Sequence, residues 1–249
     1  MKKSLLVAAV LLSIGSGCLL PREVGAIQPQ YYWDKEGQTW VHDVNKATAT
    51  DNKAVLPKEG FTVSEGDYFY AGYSNGDVKN NSFNVENLTT TIDNVVGGYS
   101  LDGNAVGNTV AITGSSNVVS VYGGHSEYEN AEGNAVTISD SSNAEYVYGA
   151  YSYKGNATSN TVTISGGDIS GEVYGGFSTF GNAEGNTVIV NGGNVNLAIG
   201  GYSEVKAFAQ GNEVIISNST GKGYVGDVIG GSVYSNEEGD YSLAKDNIV

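Results

Sequence analysis

Few residues in this chain could carry chemistry. There are two histidines, His42 and His125, and one cysteine, Cys18. A thiol nucleophile needs a base within hydrogen-bond reach, and a zinc centre needs clustered Cys, His or carboxylate ligands. Neither inventory is met once Cys18 is assigned to an export signal. His125 stands beside Ser126, the pair from which a serine hydrolase would be built. It fills, however, the aromatic slot of a repeat whose other copies hold Tyr or Phe, which makes it a structural residue. The carboxylates Asp102, Glu127, Glu129, Glu132 and Glu184 are of the type that polysaccharide-cleaving β-helices pair with a base. Lys154 is the one repeat-borne base near them, no arginine follows Arg22, and the carboxylates read as a solvated acidic face.

Other chemistries fail on spacing. Gly166-Gly167-Asp168 and Gly192-Gly193-Asn194 lack the period and regular aspartates of glycine-rich calcium repeats. The glycine pairs of the repeat lack the Lys-Ser/Thr of a phosphate loop. Within the alternating run of the repeat, a Thr-x-Thr pair of the ice-binding type occurs only at Thr161 and Thr163. No catalytic, cofactor-binding or metal-ligating residue is therefore assigned, and no cofactor is expected.

The elements that hold these residues are read first from composition. The chain has 249 residues, with 27 acidic against 12 basic side chains and 36 glycines. Residues 1–26 have a basic start at Lys2 and Lys3, an apolar run from Leu5 to Ile14 and the small-residue ending Val24-Gly25-Ala26, the pattern of a secretory signal peptide. Gly15, Ser16 and Gly17 interrupt the run before it reaches membrane-spanning length. Gly15 also occupies the place where a lipoprotein signal would carry a branched aliphatic residue ahead of Cys18. Without residues 1–26, 9 basic residues face 26 acidic ones, a net charge of −17, with no cysteine and no arginine. Nucleic-acid binding, which runs on basic side chains and counterion release, is excluded.

Self-comparison shows a repeat. FYAGYS begins at Phe69, VVGGYS at Val95, VYGGHS at Val121, VYGAYS at Val147, VYGGFS at Val173, AIGGYS at Ala198 and VIGGSV at Val228, at spacings of 26, 26, 26, 26, 25 and 30. A second series, GNTVAI at Gly107, GNAVTI at Gly133, SNTVTI at Ser159, GNTVIV at Gly185 and GNEVII at Gly211, keeps the same 26-residue phase. Each unit holds two short runs of β-formers, and one run cannot bury its apolar side alone. Stacking copies at the ~4.8 Å strand spacing predicts an all-β fold: a right-handed parallel β-helix of about seven coils over residues 61–249, roughly 30–35 Å long. No proline follows Gly60, as a stack of inter-coil hydrogen bonds requires. The glycine pairs 97–98, 123–124, 175–176 and 200–201 are expected at sharp bends where a Cβ would meet the next coil.

Two ladders follow from the spacing. Asn108, Asn134, Asn160, Asn186 and Asn212 should stack, each amide able to hydrogen-bond the next. Tyr99, His125, Tyr151, Phe177 and Tyr202 should form an aromatic column. An outward column would be a sticky stripe of the kind that binds sugars or proteins; an inward one is packing, and the hexamer is apolar at both of its first two positions. Residues 27–60, with Trp33, Trp40, Tyr31 and Tyr32, carry no copy of the repeat and are expected to cap the first coil. At the other end Asp246-Asn247-Ile248-Val249 starts a strand in mid-coil, after an acidic loop expected between Asn218 and Ala244.

This combination of repeat, signal peptide and cysteine-free acidic body resembles the repeat-rich passenger regions of bacterial autotransporter (type V secreted) surface proteins, over roughly residues 61–249. The resemblance implies a β-helix displayed on, or released from, an outer membrane, and a role in adhesion or surface display toward a host or bacterial protein or glycan. The family's C-terminal translocator barrel has no counterpart in these residues, so attachment is expected only through a barrel outside them, or the chain is a gene remnant. A non-enzymatic surface protein is the leading expectation; a secreted enzyme acting on acidic polysaccharide and a purely structural spacer are the alternatives.

Overall fold

Alternation of Val or Ile with Thr and Ser gives each run of the repeat one apolar side and one polar side. In the computed structural model, which describes residues 30–57, 59–205, 207–217, 223–234 and 243–249, these runs stack in parallel into a β-solenoid of about seven turns. The expected signal peptide lies outside the described residues, as do residues 218–222 and 235–242 of the expected acidic loop, whereas Val225–Val233 within that range forms a strand of the stack. A 3-10 turn at Val44–Lys46 is the only helical segment among the described residues. None of them forms a helix long and apolar enough to cross a membrane.

Each coil has three strands. The first carries the Val-Tyr-Gly-Gly-Tyr-Ser hexamer, as in Ile92–Ser100, Asn117–Ser126 and Asn143–Ser152. The second is a short alanine strand, as in Ala105–Val106, Ala131–Glu132 and Ala157–Thr158. The third is the alternating run, as in Thr109–Thr113 and Ala135–Ile138. In Thr161–Ser178 and Thr187–Ser203 the third strand of one coil runs on unbroken into the first strand of the next, which joins the two sets into one 14-stranded sheet beside a 7-stranded alanine sheet. The register follows the repeat: Val95 pairs with Val121, Val121 with Val147 and Val147 with Val173, all parallel.

The interior is built from the first position of the hexamer and the alternating run. Val95, Val121, Val147 and Val173 meet Ile112, Ile138, Ile164 and Val190 in a single cluster, each fully buried. Burial of each such side chain is worth about 1.5–3 kcal/mol. The glycine pairs lie inside continuous strands rather than at bends, and none has a left-handed backbone. They are required for closeness. A Cβ on Gly123 would lie 2.4 Å from the Gly149 carbonyl oxygen of the next coil, and one on Gly124 would lie 2.4 Å from the Asn134 side chain. Alanine fills the first slot of the pair once, at Ala71 in an early coil, and the second slot once, at Ala150.

Residues 30–57 both cap the stack and continue it. Gln30–Asp34 pairs antiparallel with Thr39–Val41, and this hairpin sets Trp33 and Trp40 over Phe69 and Phe83. The same Gln30–Asp34 strand lies parallel on Tyr68–Ser74, and Lys53–Leu56 lies parallel on Ser82–Glu86. A degenerate coil thus sits within the segment in which sequence comparison finds no repeat.

Candidate functional site

The asparagine ladder forms, and it is longer than its five sequence members. Asn52, Asn81, Asn108, Asn134, Asn160, Asn186, Asn212 and Asn247 stand in one column, each Nδ2 donating to the next Oδ1 at 2.7–3.1 Å. The same oxygen accepts a second bond from the backbone N–H of the preceding asparagine, as Asn160 Oδ1 does from Asn134 at 2.9 Å. The second amide hydrogen goes to a carbonyl such as Ala105 or Ala131. At the first coil Thr48 closes the column by donating its hydroxyl to Asn52 Oδ1. A buried amide left unpaired costs ~1–3 kcal/mol, so this column has to be complete.

The residue ahead of each ladder asparagine is left-handed in every coil: Asp51, Asn80, Gly107, Gly133, Ser159, Gly185, Gly211 and Asp246, with φ between 52 and 63°. Asn81 escaped the sequence comparison because its segment reads Asn80-Asn81-Ser82 rather than Gly-Asn-Thr. A second ladder went unnoticed although the Gly-Asn-Ala repeat carries it. The Asn104, Asn130, Asn156 and Asn182 side chains accept from the backbone N–H of Asn130, Asn156, Asn182 and Phe208. Asp77 starts this ladder by accepting from Asn104, and hydrogen bonds from Lys79, then Asn104, draw its carboxyl down to about 2.

The aromatic column faces outward. Tyr99, His125, Tyr151, Phe177 and Tyr202 lie on the side of their strands opposite the valine core, next to a second column, Tyr122, Tyr148 and Tyr174, from the second hexamer position. The two columns pack into a cluster separate from the core. Within a column neighbouring Tyr and Phe rings stack: Tyr122 and Tyr148 at 4.8 Å and 2°, Tyr148 and Tyr174 at 5.2 Å and 7°, Tyr151 and Phe177 at 5.3 Å and 18°. Between columns they cross, Tyr148 and Tyr151 at 88° and Tyr174 and Phe177 at 86°. Ring faces are spent on neighbouring rings, and hydroxyls on polar neighbours, Tyr99 on Glu127, Tyr151 on Thr179 and Tyr174 on Glu172. This wall is a second packed layer, with each ring pair adding about 0.5–1.5 kcal/mol beyond its buried area. Burial pushes the hydroxyls of Tyr70, Tyr99 and Tyr151 up, so these tyrosines stay protonated.

His125 is tilted 46° to Tyr99 and 51° to Tyr151, and its Nε2 lies 3.1 Å from Glu127 Oε1. The same oxygen accepts the Tyr99 hydroxyl at 2.9 Å. The bond from His125 holds the Glu127 carboxyl below its ordinary value against the opposing effect of burial, with help from Tyr99. Ser126 points into the solenoid, where its hydroxyl donates to the Gly103 carbonyl and accepts the Glu129 N–H. His125 and Ser126 are therefore on opposite faces of one strand. His42 packs against Tyr31 at 4.1 Å, tilted 38°, at the N-terminal hairpin, coils away from His125. Glu132 and Glu184 stand on the outer face of the alanine sheet, two coils apart, in register with Thr158 between them. Among the described residues no group of three His, Cys, Asp or Glu is placed to hold a metal.

A corner next to the wall carries exposed rings. After the hexamer serines the chain turns through Glu127-Tyr128, Tyr153-Lys154 and Thr179-Phe180 on successive coils, tied together by backbone bonds from Lys154 to Glu127 and from Phe180 to Tyr153. Tyr128, Tyr153 and Phe180 are 46%, 37% and 49% exposed, among the most exposed rings of the described residues. Lys154 Nζ sits 4.3 Å above the centre of the Tyr128 ring, and Tyr153 meets Phe180 edge to face at 5.1 Å.

No protein-family model matches this chain, nor does any curated protein or solved structure.

Proposed function

We propose that this chain is an exported, non-enzymatic surface protein of the autotransporter-passenger kind, a rod whose outer surface meets partners in adhesion or surface display. One observation carries the reading: the side chains that could have done chemistry serve the stack, while Tyr128, Tyr153 and Phe180 are left open to solvent beside it. His125 is spent on Glu127 and the rings above and below, and Ser126 on two backbone groups. The repeat-borne carboxylates Glu132 and Glu184 stand apart on a flat sheet face rather than converging. The acidic, cysteine-free composition and the signal-like residues 1–26 support export.

The test is expression of the full chain in a Gram-negative host, with fractionation and N-terminal sequencing of the product. The expected product starts at Ile27, leaves the cytoplasm and gives saturable attachment to other cells. Turnover of an acidic polysaccharide by the purified chain would replace the reading with that of a secreted enzyme. Export without attachment to any surface would reduce it to a spacer.

A further inference from the structure

We propose that the exposed corner formed by Tyr128, Tyr153 and Phe180 is a docking site for a lysine- or arginine-rich segment of a partner protein. This rests on the display reading above and gives the partner its chemistry.

Three observations converge. First, the rings come from consecutive coils: Tyr128 and Phe180 hold the same corner position two coils apart, roughly 10 Å by strand spacing, with Lys154 between them, and Tyr153 meets Phe180 from the neighbouring position. Unlike the wall behind them, whose faces are stacked away, they turn ring surface to solvent. Second, the chain shows how such a ring is used, because its own Lys154 ammonium lies 4.3 Å over Tyr128. An aromatic face attracts a cation through its quadrupole, and more strongly when the cation is partly desolvated. Third, the surroundings are acidic. Glu127 and Glu129 flank Tyr128 in sequence, and Glu204 occupies the equivalent corner position one coil after Thr179, its backbone bonded to Ser178.

Glu204 is half-buried, and burial raises its carboxyl above the ordinary value although a bond from Thr179 opposes this. The chain's net charge of −15 sets the sign at longer range: it repels anionic surfaces and draws basic ones. Lys154 then acts as an internal occupant that a partner's basic side chain displaces from Tyr128.

The probe is a fluorescent nonapeptide alternating Arg and Ser, titrated into the purified full chain at 50 mM salt and followed by anisotropy. Saturable binding is expected, weakening at least tenfold at 500 mM salt. Tyr128→Ala and Phe180→Ser should each weaken it by about two- to fivefold, and the double variant by about tenfold. Lys154→Ala should tighten binding severalfold, whereas Lys53→Ala, which removes the same charge from the far end of the rod, should leave it unchanged. Circular dichroism of each variant checks that the coils persist. Equal binding by wild type and the Tyr128/Phe180 double variant would overturn the site in favour of general attraction to an acidic rod, as would equal tightening by the two lysine variants. A peptide that does not bind, on a chain that still attaches to cells, would overturn the cationic partner and leave the display reading standing.

Discussion

A Cβ built on Gly167 would lie 1.7 Å from the carbonyl oxygen of Ser142 in the preceding coil, at a residue whose φ is already +81°. Gly133 has nearly the same backbone sign, φ +62°, yet a Cβ there meets nothing within 4 Å. The two positions separate backbone strain from collision. Gly133→Ala is expected to cost about 1 kcal/mol, the penalty of a left-handed alanine. Gly167→Ala should cost more than about 3 kcal/mol, because backbone must move as well. Urea unfolding of the two variants measures the difference directly.

Ser159 holds the left-handed position that glycine fills in the neighbouring coils, with φ 56°. Ser159→Gly is expected to stabilise the chain by about 0.5–1 kcal/mol, since relief of the left-handed side chain outweighs the extra freedom of the unfolded glycine. A lower midpoint in urea would contradict this.

Removing a rung should show whether the asparagine column behaves as a unit. Asn160→Ala strips the acceptor from the Asn134 amide and backbone N–H, and a donor from Asn186 and Ala131. Four buried groups lose partners at once, and a loss of about 3–5 kcal/mol is expected. Amide hydrogen exchange should rise first in the two coils that flank the variant. Loss confined to residue 160 would mean that water replaces the missing amide.

Two carboxylates give the acid limb of stability opposite slopes. Glu127 is held below its ordinary value in the fold, so its contribution is complete above the ordinary glutamate range and is lost as pH falls through the lowered value. Glu204 is raised by burial, so the fold gains stability as pH falls through that raised value. Glu127→Gln should therefore flatten the fall in stability on acidification, and Glu204→Gln should raise stability at pH 7 while removing the gain in mild acid. Thermal midpoints between pH 3 and 7 for the two variants test the signs.

The solenoid was legible in the sequence because its period is carried by backbone necessities. Gly97 and Gly98 recur where a Cβ finds no room, and Asn108 recurs where a buried amide must meet another. The early coils were harder to read, since Asp51-Asn52 and Asn80-Asn81 satisfy the same left-handed turn with different residues. Only position ahead of the ladder links them to Gly133-Asn134. The outward direction of Tyr151 was not legible, because the hexamer places Val147 and Tyr148 in succession and either reads as core. The strand resolves it by turning Val147 in and Tyr148 out, onto a second packed layer. The exposed corner had no signal at all: Tyr128, Lys154 and Phe180 fill one slot with three residue types, and only the stacking of coils makes them neighbours.

The asparagine column has a consequence for how such a chain can change in length. From Asn52 to Asn212 every rung donates in the same direction, and from Asn81 to Asn247 every rung accepts in the same way, although the separations between rungs range from 26 to 35 residues. One coil is thus chemically interchangeable with another at the column, and inserted residues are absorbed in the connectors without disturbing it. Loss or duplication of a whole coil would rejoin donor to acceptor with no mismatch, whereas a shift by a single residue inside a strand would turn its valines to solvent. The molecule is built to vary in whole turns, like a ruler cut only at its marks.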